Sequence, residues 1–388
     1  MNIKQFLFKL KKCESLNKMD IEFKITHSLK REFKEKWDDK ISDFNPFLKS
    51  SFLKLFELYD SKELKPFYIM FNNNFIYGNL ITITGKKAAN YYDQNNTISF
   101  KKWMMKRVKI RVFCFGNTHM SNMPCHQLEG NFLSEEKFKY LTSFINQKYG
   151  IKYFLIPDHF FSVIIAKKKK LSNQFNIFKI DPDMRLDIPQ NWNSFEDYNN
   201  AISSKYKKRL RGELKKSEAL NSKIIYKEDL INLKEKMSLL YNNVYLKSSF
   251  SGPPFDIDIF KELLKLDFLR PQIKGYYLEN KLVAFSSCFQ NQNKLYSYYI
   301  GLNYQLNKKH SIYSKILYDT IEKGIKQNVS QIVFGRTASE FKSTIGAYPN
   351  ESTSAMFISN PIINIILKPV FKRVYPEQWI QRRPFKSK

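Results

Sequence analysis

Lys294-Leu295-Tyr296-Ser297-Tyr298-Tyr299-Ile300-Gly301-Leu302, then His310 to Lys326, then Gln331-Ile332-Val333-Phe334-Gly335-Arg336 is the stretch whose reading decides the fold. The first part is aromatic and aliphatic, free of proline, and reads as a strand. In the second, Tyr313, Ile316, Leu317, Ile321 and Ile325 recur every three or four positions, the spacing of one helix face. The third is a short apolar strand closed by Gly335-Arg336. Upstream, Ile273 to Leu278, the turn Glu279-Asn280-Lys281 and Leu282 to Phe289 predict a hairpin, preceded by helices over about Leu230 to Leu246 and up to about Phe268. A further helix is expected from Ser194, with Asp197 completing its cap, through Leu214.

The same order stands earlier in the chain. After a charged, helical lead of some sixty residues, Phe67-Tyr68-Ile69-Met70-Phe71 and Phe75 to Ile83 predict a hairpin, and Lys109 to Phe115 a strand. Glu135 to Tyr149 follows as a helix capped by Ser134 and ended by Gly150, and Ile151 to Ile156 as a strand stopped by Pro157-Asp158. Two halves with one grammar predict an α/β (α+β mixed sheet) protein made by duplication, its halves at 1–170 and 171–388. The run Lys167 to Lys170 is expected to be a solvated linker between them.

Composition bounds the function. The chain has 388 residues, 34 Phe and 23 Tyr, which excludes disorder throughout. A net charge of +29 favours anionic partners, but only 11 of the 65 cations are arginine, so codon bias is an equal explanation of the lysine excess. Four scattered cysteines without a C-x-x-C exclude a disulfide framework. Cys114, His119, Cys125 and His126 fall close together, yet their spacing matches no paired-ligand zinc knuckle, and no metal is expected. The N-terminus lacks an apolar h-region and no apolar run approaches the ~18–20 residues of a membrane span, so a cytoplasmic protein is expected. Pro361 to Tyr375 reads as a basic amphipathic helix, interrupted by Pro369. It either closes over the core, the favoured reading, or lies at the inner face of an anionic membrane.

Several strings resemble a known family. Trp192-Asn193-Ser194-Phe195-Glu196-Asp197-Tyr198 running into Ser203 to Arg209, Tyr299-Ile300-Gly301-Leu302, and above all Phe334-Gly335-Arg336-Thr337-Ala338-Ser339-Glu340-Phe341-Lys342 with Gly346-Ala347 are similar to bacterial GNAT-type, BioF2-like acyltransferases of the Fem-like subgroup. Phe115-Gly116-Asn117-Thr118-His119-Met120 resembles the G-N-x-x-x-[ST]-G loop of that group, without its last glycine. The resemblance implies two tandem GNAT-like domains and transfer of an acetyl or other small acyl group from acyl-CoA to an amine. The alternatives are a Fem-like, tRNA-dependent aminoacyltransferase acting on a cell-wall or lipid-linked precursor, and a binding protein that keeps the fold. The partners so implied are an amine-bearing small molecule or cell-envelope precursor and aminoacyl-tRNA, with no obligate protein partner. In ordinary members a glycine-rich loop cradles the coenzyme A pyrophosphate. Here it is Tyr304-Gln305-Leu306-Asn307-Lys308-Lys309-His310-Ser311, with no glycine, and charge from Lys308 and Lys309 would have to substitute.

Candidate residues follow. Arg336 ends a strand where open α/β sheets bind ligands, and its fork suits a phosphate or carboxylate. The bland reading pairs it with Glu340. Glu340 is the candidate general base, and Thr337, Lys342, Lys308, Lys309 and His310 are candidates for holding the carrier. Tyr299 and Tyr313 are candidates to protonate the leaving group, against a plain packing role. Lys205, Lys207, Lys208, Arg209 and Arg211 form a cationic helix face, suited to a nucleic-acid backbone or simply to water.

Overall fold

The computed structural model describes residues 21–58, 64–84, 107, 109–120, 122–131, 133–165, 173–247, 253–372, 374, 376 and 378–386; the run Lys167 to Lys170 lies outside them. The first half consists of β1 (Lys24–Thr26), α1 (Arg31–Asp38), α2 (Ser50–Leu58), β2 (Leu64–Phe71), β3 (Asn74–Thr84), β4 (Lys109–Cys114), the short β5 (His126–Gln127), α3 (Glu135–Tyr149), β6 (Tyr153–Ile156), α4 (Asp158–Ile165) and β7 (Phe175–Asp187). Two helices follow, α5 (Phe195–Ala201) and α6 (Ser204–Ser217). The second half then repeats the order: β8 (Asn221–Ile225), α7 (Leu230–Lys247), α8 (Ile259–Leu263), β9 (Gln272–Leu278), β10 (Lys281–Asn291), β11 (Lys294–Leu302), α9 (Tyr304–His310), α10 (Ile312–Lys326), β12 (Gln331–Gly335), α11 (Ser339–Ser343) and β13 (Tyr348–Ile358). A last helix, α12 (Pro361–Phe371), follows.

Local chemistry sets the boundaries. Ser134 accepts a hydrogen bond from Lys137 N at the head of α3, and Gly150 ends that helix in the left-handed region at φ 67°. Ser194 and Asp197 form the expected capping box on α5. Glu279 and Asn280, both at positive φ, make the two-residue turn between β9 and β10. The single helix expected from Ser194 to Leu214 is instead two. It breaks at Ile202-Ser203, where Ile202 bridges Phe385 and Ser203 N donates to Pro384 O.

Among the described residues all strands join one sheet, in the order β1-β2-β3-β4-β6-β13-β7-β12-β11-β10-β9-β8, with β5 beside β3. Read from either edge, four antiparallel strands lead to a parallel neighbour, β4 with β6 and β11 with β12. The final strand of each repeat then lies in the territory of the other: β13 pairs with β6, and β7, which lies past the boundary at 170 read from the sequence, with β12. This pseudo-twofold order meets the expectation of two tandem GNAT-like halves. Neither β7 nor β13 was expected from sequence, because Pro182 and Pro349 interrupt polar runs and proline argues against a central strand. The register shift between Asn350 and Ser352 accommodates Pro182, which sits at the bulge where no ladder N–H is required, and Pro349 stands at the start of β13, opposite Met184.

One core lies under α3 and α4, built on Phe113, Phe154, Phe138 and Phe357. A second joins the halves: Trp37, Phe52 and Phe56 from the first helices share it with Leu240, Tyr241, Phe260 and Phe285. A third packs α5, α6 and α10 on Leu295, Ile332 and Phe334, closed by Phe385.

Candidate functional site

Three antiparallel steps separate β6 from β12, so the two strands run in opposite directions. Strand β6 uses one end of the central β13–β7 ribbon, Ala355 to Ile358, and β12 uses the other, Met184 to Asp187. Their C-terminal ends therefore meet over the middle of the ribbon. The turn after β6 carries Asp158 and His159; the turn after β12 carries Arg336 and Thr337.

Arg336 ties these turns together. Its Nη2 donates to both carboxylate oxygens of Asp158, at 3.0 and 3.1 Å, and its Nη1 to Asp181 O at 2.8 Å. The bland alternative, a pairing of Arg336 with Glu340, is absent; Asp158, 178 positions away, takes that place. Beside it, Asp183 is paired with Arg185 at 3.2 Å and accepts from Asn122 Nδ2 at 3.4 Å. Beneath it, Lys342 Nζ donates to Phe334 O, Gly335 O and Arg336 O at 2.9, 3.1 and 2.8 Å. Three carbonyl acceptors match the three N–H bonds of an ammonium. They hold a turn in which Gly335, Thr337 and Ala338 all have positive φ, a conformation strained for the latter two.

The glycine-containing loop after β4 closes on the same place. Gly116 lies against the His159 ring, where an added Cβ would stand 3.1 Å from Nε2. His126 and His159 stack with centroids 5.7 Å apart, and His119 Nδ1 lies 3.1 Å from the Tyr299 hydroxyl. Strand β11 carries one extra residue opposite β10, so Tyr298 and Tyr299 together oppose Ser287, whose hydroxyl donates to Tyr299 O at 2.7 Å. This bulge turns both tyrosine rings into the core shared by the halves.

What marks the cluster is its unmet hydrogen-bonding capacity. Arg336 Nε, both ring nitrogens of His159, His126 Nδ1, Asn117 Nδ2, Thr118 Oγ1 and the Tyr298 hydroxyl are buried without a protein partner. Such atoms are costly unless a ligand or water meets them. Burial pushes His159 and His119 down to about 4 and His126 to about 3, so all three are neutral near pH 7. At Asp158 burial acts upward, but the Arg336 charge and hydrogen bonds prevail and hold the carboxyl below its usual value. Burial raises Asp183 against the pull of Arg185, and lowers Lys342 to about 7 against Asp183 and Asp181.

The sequence candidates divide around this centre. Arg336, Thr337 and Lys342 are in it, and Tyr299 borders it through His119. Tyr313 is elsewhere, packed on Phe341 at 5.0 Å between the cores around α10. Glu340 points outward to Arg382, which keeps its carboxyl low, and both side chains are over 40 % exposed. The expected carrier loop is the helix α9. Lys308 and Lys309 lie exposed on it and His310 is buried. Lys205 and Arg209 meet Glu340, Phe341 and Arg382 around a separate groove of about 450 Å³, while Lys207 reaches Asn200 and Lys208 and Arg211 face solvent. Asp158, His159, Asn117 and Asp183 were not expected. For His126 the sequence offered only the metal cluster, and for His119 that cluster and a place in the Phe115 to Met120 string; Cys114 and Cys125 are buried thiols pushed up to about 12. Among the described residues no three metal-ligating groups converge.

The fold is that of the Fem-like, GNAT-type transferases. The FemAB-like family model, described as peptidoglycan biosynthesis/recognition, matches residues 158–378, more than half of the chain. The protein belongs to that family. No curated protein matches it in sequence. Among solved structures, L-PGS from Bacillus licheniformis is similar at 10 % identity over 90 % of this chain and 99 % of that one, with a TM-score of 0.48. FemX aligns at 10 % identity over 89 % and 100 %, TM-score 0.44, and a tandem GNAT protein from the clavulanic acid biosynthesis pathway at 8 % over 88 % and 99 %, TM-score 0.46. At such scores the likenesses bear on neither chemistry nor ligand.

Proposed function

We propose that the protein transfers an aminoacyl or other small acyl group to an amine at the junction of the halves, on a cell-wall or related precursor. The observation that carries this reading is the concentration of unpartnered buried donors and acceptors around Arg336 and His159. In the reaction a C–N bond forms and the C–O or C–S bond to the carrier breaks, with one proton passing from the amine to the leaving atom. Neutral His159 is suited to relay that proton from the attacking nitrogen, and Tyr299, backed by His119, to deliver it to the leaving group. Asn117 Nδ2 offers a donor for the oxygen of the tetrahedral intermediate. Arg336, held by Asp158, orients an anionic part of either substrate.

An ester-linked carrier such as aminoacyl-tRNA is favoured over acyl-CoA by the region after β11. The loop expected to cradle a diphosphate is a helix, and the Tyr313 N–H in the first turn of α10 is taken by Asn307 Oδ1 at 2.8 Å. The family description is in keeping with a cell-wall acceptor. Calorimetric titration with acetyl-CoA and with bulk aminoacyl-tRNA separates the carriers. Saturable binding of tRNA alone is expected. Saturable acetyl-CoA binding would restore acyl-CoA, and silence from both would leave the fold without this reaction.

A further inference from the structure

Helix α12 is amphipathic the wrong way round for a helix that covers a core. Its buried residue is polar: Asn364 is 5 % exposed, accepts from Asn176 Nδ2 at 2.7 Å and donates to Asn173 O at 3.0 Å. One heptad on, Phe371 stacks on Phe178 of β7. These contacts fix the helix by one side. The opposite side carries Ile362, Ile365, Ile366 and Val370, at 59, 68, 68 and 42 % exposure, with Pro369 among them. The helix thus does not close over the core with its aliphatic stripe, as the favoured sequence reading had it.

The segment that carries this stripe is charged with one sign only. No acidic residue stands between Glu351 and Glu377, an interval that holds Lys368, Lys372 and Arg373. Lys372 is exposed at the end of the helix. At its start, Ser359 N donates to Lys152 O, which brings another exposed lysine beside the N-terminal turn. Asn360 caps that turn through Ile362 N and Ile363 N, so the stripe is presented on a formed helix.

We propose that α12 is an interfacial docking element that seats the protein on an anionic lipid bilayer, with the isoleucines entering the headgroup–acyl boundary and the flanking lysines on the lipid phosphates. The arrangement joins an exposed aliphatic face to cationic flanks, the two contributions that govern interfacial helix binding. Among the described residues no helix is long and apolar enough to cross a membrane, so contact through α12 is peripheral. This inference does not depend on the acyl-transfer reading.

Co-sedimentation with vesicles of phosphatidylglycerol and phosphatidylcholine in equal parts tests it, with pure phosphatidylcholine vesicles as the comparison. The wild type is expected to bind the mixed vesicles at least ~10-fold more strongly than the neutral ones. Binding should weaken in 0.5 M NaCl, and Ile365→Asp/Ile366→Asp should abolish it with the circular dichroism spectrum unchanged. Lys368→Gln/Lys372→Gln, a milder pair, should lose severalfold in affinity. Equal binding by wild type and the aspartate variant, or no binding to anionic vesicles, would overturn the proposal. So would a concentration-dependent dimer that the aspartate pair dissolves without any vesicle binding by the wild type.

Discussion

Arg336 is 15 % exposed and Asp158 22 %, so each is the main counter-charge of the other. Removing the guanidinium leaves a largely buried carboxylate without its counter-charge. Arg336→Ala is therefore expected to cost about 2 kcal/mol, below the ~3–5 for a wholly buried pair, and to lose transfer as well. Arg336→Lys should recover much of the stability but little activity, because a lysine cannot bind both carboxylate oxygens in a planar fork. Urea unfolding and transfer assays on the two variants separate positioning from folding. The histidines make a pH prediction. His119, His126 and His159 are depressed below the 6.5 of an unfolded histidine. The unfolded chain thus takes up protons first as pH falls. Stability is fully present above about 6.5 and declines towards about 4, by up to ~1.4 kcal/mol per pH unit for each histidine. His126→Gln with His159→Gln should flatten the dependence of the urea midpoint between pH 6.5 and 4. An unaltered slope would mean that water already reaches these rings.

The bulge on β11 and the head of α10 carry the next predictions. Tyr299→Phe removes the hydroxyl that meets His119 while the ring stays among Phe255, Tyr241 and Tyr298. Turnover should fall roughly 10- to 100-fold with little change in KM if that hydroxyl supplies the leaving-group proton. Tyr313→Phe, on the far side of the sheet by α10, should leave both constants near wild type. At α10, Asn307→Ala deletes the side-chain acceptor for Tyr313 N and should cost about 1 kcal/mol, seen as a lower Tm.

Because β13 lies between β6 and β7, the two halves share their central ribbon. A chain ended at residue 347 would strip β6 of one neighbour and β7 of another, and the joint core of Trp37, Phe56, Tyr241 and Phe285 would lose its frame. Calorimetry of the full chain is expected to show one cooperative transition, and the truncated chain to lack a native spectrum. Two separate transitions would mean that the halves fold independently despite the exchange of strands.

Periodicity and turn chemistry were enough for most elements, since Ser134, Gly150, the Ser194–Asp197 box and the aromatic strands act through neighbours in the chain. They also revealed the duplication, and the G-R-T string marked Arg336 with Thr337 and Lys342. What acts across the chain was not legible. Proline and polar residues disguised β7 and β13, whose strand pairing is supplied by partners as distant in sequence as Tyr153 and Ile358. Asp158 read as a strand stop because its meaning comes from Arg336, and His119 and His126 read as a metal cluster because their partners, Tyr299 and His159, are distant in sequence. The loop after β11 could be seen to lack glycine, but that Asn303 caps it into a helix, through Gln305 N and Leu306 N, was not read. The pattern of α12 established that it is amphipathic. Which face it buries was decided in three dimensions, where Asn176 and Asn173 offered Asn364 the hydrogen bonds that a buried amide requires and left the isoleucines outside.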